Sequence, residues 1–153
     1  MVEFLIKSYE ELSLDDLYNL LQLRSEIFVV EQNCAFQDMD GLDRKSLHVL
    51  GYKDNQLVAY SRLFKPEDYF EFASIGRVVV KEGERHSGLG QKLMKISIQE
   101  IKKRFNQSVI KLSSQCYITK FYRSVGFREI GEIYLEDNIP HISMIYDCNH
   151  SAY

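Results

Sequence analysis

Arg85, Gly88 and Gly90 form the pattern R-x-x-G-x-G in the stretch ERHSGLGQ. It lies between the β-branched run Val78-Val79-Val80 and an amphipathic segment. Glycines let a backbone approach an anion closely. A loop entering a helix N-terminus presents unpaired N–H groups and the positive end of the helix dipole. Arg85 adds a charge-assisted partner, with Lys92 one turn along. The chemistry indicated is phosphate binding. Two common phosphate loops fail on particular residues. Gly83 and Gly88 have the spacing of G-x-x-x-x-G-K-[ST], but Leu89 and Gly90 stand where Lys and Ser or Thr belong. The dinucleotide pattern G-x-G-x-x-G needs glycine at Leu93, and no acidic residue follows about 20 positions on to hold a ribose. A plainer alternative stays open beside phosphate binding, in which the two glycines only turn a strand-to-helix corner.

The elements that must position this loop can be read from periodicity. Val2, Phe4 and Ile6 alternate with Glu3, Leu5 and Lys7, the pattern of a half-buried strand. Ser13 stands three residues before Asp16, a capping-box spacing. Leu17, Leu20, Leu21, Arg24, Ile27 and Phe28 follow at helical spacing and predict a helix over 14–29. Residues 30–46 lose any period, and long irregular segments in compact domains are often functional. Strands are predicted over 47–52 and 57–64, with Asp54-Asn55 suited to a tight hairpin. A third follows over 72–80. Leu89, Leu93, Ile96, Ile98, Ile101 and Phe105 then predict an amphipathic helix over about 88–104. Next come a strand over 109–114, a short helix over 117–124 stopped by Gly126, and strands over 127–134 and 141–147 joined by EDNIP. Both prolines, Pro66 and Pro140, are expected in loops. The order is β-α-β-β-β-α-β-α-β-β, a mixed α/β domain of the α+β type.

Composition bounds the function. The chain has 153 residues, which suits a single domain over 1–153, with 45% apolar and 27% charged residues. A net charge of −3 offers no basic field for nucleic acid. No apolar run has the length of a membrane span, and the N-terminus lacks a signal-peptide core. Cys34, Cys116 and Cys148 are scattered, and the four histidines show no ligand spacing. These features lead us to expect a cytoplasmic protein that binds no metal, membrane or nucleic acid.

The segment VVVKEGERHSGLGQKLM resembles the acyl-CoA-binding motif of the GNAT N-acetyltransferase superfamily, (Arg/Gln)-x-x-Gly-x-(Gly/Ala) after a long strand. KFYRSVGF, residues 120–127, resembles the superfamily's second signature, Tyr-x-x-x-Gly-Phe at the end of a short helix. LRSEIFVVEQNCAFQDMDGLD, IGRVVV and YLEDNIPHISM resemble the ElaA-like branch. The blocks come in the right order and span roughly residues 4–146. The resemblance implies a GNAT fold, with a mixed central sheet of about seven strands and about four helices. It also implies acetyl-CoA as cosubstrate. Its pyrophosphate would dock on the backbone of Arg85, His86, Ser87, Gly88, Leu89 and Gly90, with Gln91 beside them. Its pantetheine arm would run along Arg77, Val78, Val79 and Val80, between two strands splayed apart, as an extended peptide adds to a sheet edge.

Transfer to an amine needs a neutral amine, an oxyanion donor and a proton for the leaving sulfur. The resemblance gives Tyr122 the last role, and a backbone N–H near Val79 the second. A phenol of pKa ≈ 10 donates to a thiolate whose acid has pKa ≈ 8.5 only uphill, so a hydrogen bond to sulfur would suffice. Many superfamily members carry Asn six residues before this tyrosine. Here Cys116 occupies the position, and that contact is not carried over. Glu31 and His141 are the candidates for the base. Glu31, Asp38, Asp40 and Asp43, with Glu136 and Asp137, would select a cationic amine if they faced one cleft. The acceptor is thus expected to be a small-molecule or peptide amine. Two alternatives remain: a non-catalytic acyl-CoA-binding module, and a longer-chain acyltransferase, since IFVVEQ also resembles acyl-homoserine-lactone synthases. Edge strands and ten tyrosines are compatible with a homodimer.

Overall fold

The computed structural model describes residues 1–149. Seven strands form one sheet: β1 (Glu3–Ser8), β2 (Leu47–Lys53), β3 (Gln56–Phe64), β4 (Ala73–Val80), β5 (Val109–Gln115), β6 (Arg128–Glu136) and β7 (Ile139–Asp147). Their spatial order is β1-β2-β3-β4-β5-β7-β6. All neighbouring pairs are antiparallel except β4 and β5. There are three α-helices among the described residues, α1 (Leu14–Arg24), α2 (Leu89–Phe105) and α3 (Thr119–Ser124), one fewer than the resemblance implied. The sheet packs on both faces. Neighbouring strand residues point to opposite sides. Val49 accordingly joins Leu93, Ile98 and Ile101 of α2, while Leu50 joins Leu20 and Leu23 of α1.

Local chemistry accounts for the element ends. Ser13 Oγ accepts from the Asp16 N–H at 2.9 Å, and Asp16 Oδ2 accepts from the Ser13 N–H at 3.1 Å, which closes the predicted capping box. Asp54 and Asn55 both adopt positive φ, as a two-residue hairpin turn requires. Asp137 and Asn138 do the same between β6 and β7. This corrects the expected loop at EDNIP: the turn is shorter, and Pro140 lies within β7 opposite Leu135. The helix predicted over 14–29 also changes character. After Arg24 it widens into a π-helical segment, Ser25–Glu31. Such segments are rare and recur at functional sites.

Gly126 shows what holds the end of α3. Its φ is +104°, and a Cβ there would lie 2.9 Å from the Tyr146 ring. Gly126→Ala is therefore expected to cost about 1–3 kcal/mol of stability. A lowered denaturant midpoint with unchanged slope would show it; an unchanged midpoint would mean that Tyr146 moves freely aside.

Candidate active site

The parallel pair at the centre of the sheet is short. β4 meets β5 only at Ala73 with Ile110 and at Ser74 with Lys111. Beyond Ser74 the strands diverge, and a cavity of about 960 Å³ opens along the free side of β4. That is near the top of the range for small-molecule sites. On its other side β4 carries a bulge. Tyr60 of β3 faces Val79 and Arg62 faces Gly76, so Arg77 and Val78 together oppose Ser61. Arg77 takes φ +50° to make this possible. A bulge leaves its extra residue out of the ladder and re-aims the neighbouring groups.

One end of the cavity is the glycine loop. Gly88 caps α2 with φ +83°, and no side chain caps the helix. The first-turn N–H groups are thus left for another acceptor, and no acidic residue occupies that turn. A Cβ at Gly90 would lie 3.0 Å from the Phe121 ring, so the loop approaches α3 as closely as glycine allows. Arg85 donates from Nε to the Val80 carbonyl at 2.9 Å and from its terminal NH2 group to Glu31 Oε2 at 2.8 Å. The uncapped helix, the splayed edge and Arg85 fit an anion joined to an extended arm, as in an acyl-CoA.

Most of the residues expected to bind cofactor line this cavity: Arg77, Val78, Val79, Val80, Arg85, His86, Gly88, Gly90 and Gln91. Two do not. Leu89 buries its side chain in the core beneath α2, which leaves only its backbone for the loop. Ser87 turns its hydroxyl to the Glu84 carbonyl at 2.9 Å. Tyr122 lines the cavity wall from α3 with 6% of its surface exposed. Among the described residues none hydrogen-bonds its hydroxyl. Burial pushes its phenol above the usual tyrosine range. Cys116 is half-buried in the turn before α3.

The two candidate bases lie in different settings. Glu31, at the end of the π-helical segment, is ion-paired to Arg85 beside the glycine loop. His141 lies on β7, stacked on Tyr134. Its Nδ1 is 2.7 Å from the Ile139 carbonyl, and a carbonyl only accepts, so Nδ1 carries the proton. Nε2 is then the basic nitrogen, 3.3 Å from Glu136 Oε2.

The acidic segment does not face the cleft as one charged wall. Asp38, Asp40 and Asp43 are consumed by three arginines. Arg24 donates to Asp38 at 2.9 Å and to Asp43 at 2.7 Å. Arg62 donates to both oxygens of Asp40, at 2.9 and 2.5 Å, and to Asp43 at 3.0 Å. Arg77 donates to Asp38 Oδ1 at 2.8 Å and to the Asp38 carbonyl at 2.9 Å. His48 extends the network, with Nε2 on the Asp43 carbonyl at 2.9 Å and Nδ1 accepting from the Tyr60 hydroxyl at 2.6 Å. Burial lowers the His48 pKa and keeps the ring neutral. Three positive and three negative charges cancel, so these aspartates pin the 33–46 segment instead of attracting a cation. Arg24 stood out in the sequence only as a helical-face residue, and Arg62 not at all. The one signal was a run of aspartates with no metal ligands beside it.

Comparison with known proteins agrees with this geometry. The family model described as the acetyltransferase (GNAT) domain matches residues 16–148. The chain is 43% identical over 146 residues to Protein ElaA of Escherichia coli, covering 94% of this chain and 95% of that protein. The crystal structure of E. coli ElaA superposes with a TM-score of 0.90 at 42% identity, covering 96% of this chain and all of that one. An acyl-CoA N-acyltransferase from Pseudomonas aeruginosa matches with a TM-score of 0.90 at 40% identity, over 95% and 99% of the two chains. An aminoglycoside 6′-N-acetyltransferase solved with coenzyme A shares the fold, with a TM-score of 0.70 at 14% identity over 94% and 96%.

Proposed function

This chain belongs to the acetyltransferase (GNAT) family and is ElaA-like over nearly its whole length, and from that premise we propose that it transfers an acetyl group from acetyl-CoA to the primary amine of a small molecule or peptide. The single observation that carries this reading is the opening between β4 and β5, which leads directly from the uncapped α2 N-terminus to Tyr122. Bound acetyl-CoA supplies an activated thioester.

The chain's own residues supply the rest. Backbone N–H groups of the 85–90 loop, with Arg85, hold the anionic end. The bulge at Arg77–Val78 takes backbone out of the ladder next to the cavity, and a backbone N–H near Val79 would serve the oxygen where negative charge develops. His141 takes the ammonium proton at Nε2, and Glu136 steadies the imidazolium so formed. Nδ1–H on the Ile139 carbonyl leaves the neutral ring's lone pair on Nε2. Acetyl-CoA held in the cavity would supply its acetyl group to the neutral amine and leave as the thiol, with the Tyr122 hydroxyl placed to donate to the departing sulfur. Of the two candidate bases we retain His141, because Glu31 is held by Arg85 at the phosphate end.

Calorimetric titration tests the premise. Wild-type protein is expected to bind acetyl-CoA in the micromolar range. A charged hydrogen bond contributes about 1.5–3 kcal/mol, so Arg85→Ala is expected to weaken binding about 10- to 100-fold. No binding by the wild type would reduce the glycine loop to a structural corner, and acetyl transfer would fall with it.

A further inference from the structure

On the acetyl-transfer function above, we propose that the acceptor is a primary amine carried on an aromatic body and lacking a carboxylate: an arylalkylamine. The cofactor end of the cavity is the glycine loop. Following β4 the other way, from Val80 back through Arg77 to Ile75, leads to the opposite end, and the walls there are aromatic. Phe64, Tyr69, Phe70 and Phe36 line it. Tyr69 stacks on Phe64 with centroids 5.2 Å apart and meets Phe70 at 4.6 Å. Tyr69 is nevertheless 42% exposed, in the loop KPEDYFEF between β3 and β4. Phe64 is buried beneath Tyr69, but Tyr69, Phe70 and Phe36 keep surface open, and apolar area left in water gains by being covered.

Charge decides what kind of body fits. Arg62 and Arg77 reach this end, but Asp38, Asp40 and Asp43 already engage their guanidinium groups. Lys111, over the Phe70 ring, pairs with Glu71. Among the described residues at this end, these three cations each already have a carboxylate partner. The guanidinium carbon of Arg62 sits 4.9 Å from the Phe64 centroid, and that of Arg77 sits 5.8 Å from Phe36. These guanidinium groups already occupy the cation-binding faces of Phe64 and Phe36, so the neutral ring of the acceptor belongs there and its ammonium does not. The facing wall carries Glu136, Asp137 and His141. It attracts the ammonium, repels a carboxylate, and places the amine beside the proposed base.

The test compares 2-phenylethylamine, n-butylamine and phenylalanine as acceptors, following release of the CoA thiol from acetyl-CoA. Covering one ring predicts a kcat/KM for phenylethylamine at least about tenfold above butylamine, and the added carboxylate makes phenylalanine poorer than phenylethylamine by a similar factor. Tyr69→Ala and Tyr69→Leu, at an exposed position that folding tolerates, should raise the KM for phenylethylamine and narrow the aryl-over-alkyl ratio, with the acetyl-CoA Kd unchanged. Equal rates for phenylethylamine and butylamine, a preference for phenylalanine, or a ratio indifferent to Tyr69 would overturn the proposal. Calorimetry on the same samples separates the two levels. Acetyl-CoA binding and amine acetylation without an aryl preference would sink the arylalkylamine and leave acetyl transfer standing. Absence of acetyl-CoA binding would sink both.

Discussion

Tyr122→Phe is expected to lower kcat by about 10²-fold or more while leaving acetyl-CoA affinity within a factor of two or so. The variant loses one oxygen. The ring keeps its edge contacts with Phe121 and Phe127, at centroid distances of 5.1 and 6.2 Å, so the fold has no reason to shift. The hydroxyl has no hydrogen-bond partner among the described residues and faces the cavity, so its removal breaks no structural bond. What it removes is a buried phenolic donor beside the splayed strands. Burial holds this phenol above the usual range, and two consequences follow. Full proton transfer to a thiolate is steeply uphill, so Tyr122 acts by donating a hydrogen bond as the carbon–sulfur bond lengthens. The donor also stays protonated at ordinary pH, so it imposes no falling limb on the rate profile below about pH 10. Single-turnover rates and calorimetry of the two proteins would decide. Full turnover by the variant would return Tyr122 to the core as a packing residue.

The largest loss of stability is expected for Asp43→Asn. One oxygen of Asp43 accepts from Arg24 and from Arg62, which are 0% and 1% exposed. Without this charge three guanidinium groups, those of Arg24, Arg62 and Arg77, are left to share two carboxylates, Asp38 and Asp40. Breaking a buried pair in this way costs about 3–5 kcal/mol, a large share of the ~5–15 kcal/mol that holds a typical domain folded. The same network predicts acid sensitivity. Burial pushes the Asp43 carboxyl up, but the hydrogen bonds and charges of Arg24 and Arg62 outweigh it and hold the group below the usual range. Burial likewise opposes the shift at Asp40, where Arg62 and the Leu42 N–H bring the carboxyl to about 2. A folded-state value below the unfolded one, near 3.9, means the stabilisation is fully present above about pH 4 and is lost as pH falls through about 2. Denaturant midpoints should therefore stay level down to about pH 5 and drop between about 4 and 2, and Asp43→Asn should flatten that drop. An equal drop in the variant would place the acid-sensitive group elsewhere.

This network also bears on the site. Asp38 bonds Arg24 with one oxygen and Arg77 with the other. It thereby ties α1 and the 33–46 segment to the bulge in β4. The buried ion pairs fix the backbone kink from which the oxyanion donor is proposed to come, and their neutrality fixes what the acceptor end can attract.

The features legible in the sequence were those set within a few residues. Ser13 and Asp16 cap α1 across three positions, Asp54-Asn55 turns the first hairpin, and Gly88 and Gly90 open α2, because capping, turn geometry and glycine's freedom at positive φ are local matters. Periodicity located the strands and helices for the same reason. Other features depended on residues brought together from far along the chain. The divergence of β4 and β5 lies between strands that α2 separates in the chain. Arg24, Arg62 and Arg77 meet their aspartates across 14 to 39 positions, which no periodicity encodes. The sequence displayed those aspartates as an acidic segment that could select a cation; only the tertiary structure, by burying arginines against them, turned them into a neutral clamp. The aromatic end of the cavity was decided there too, because it depends on which strand end packs beside which loop.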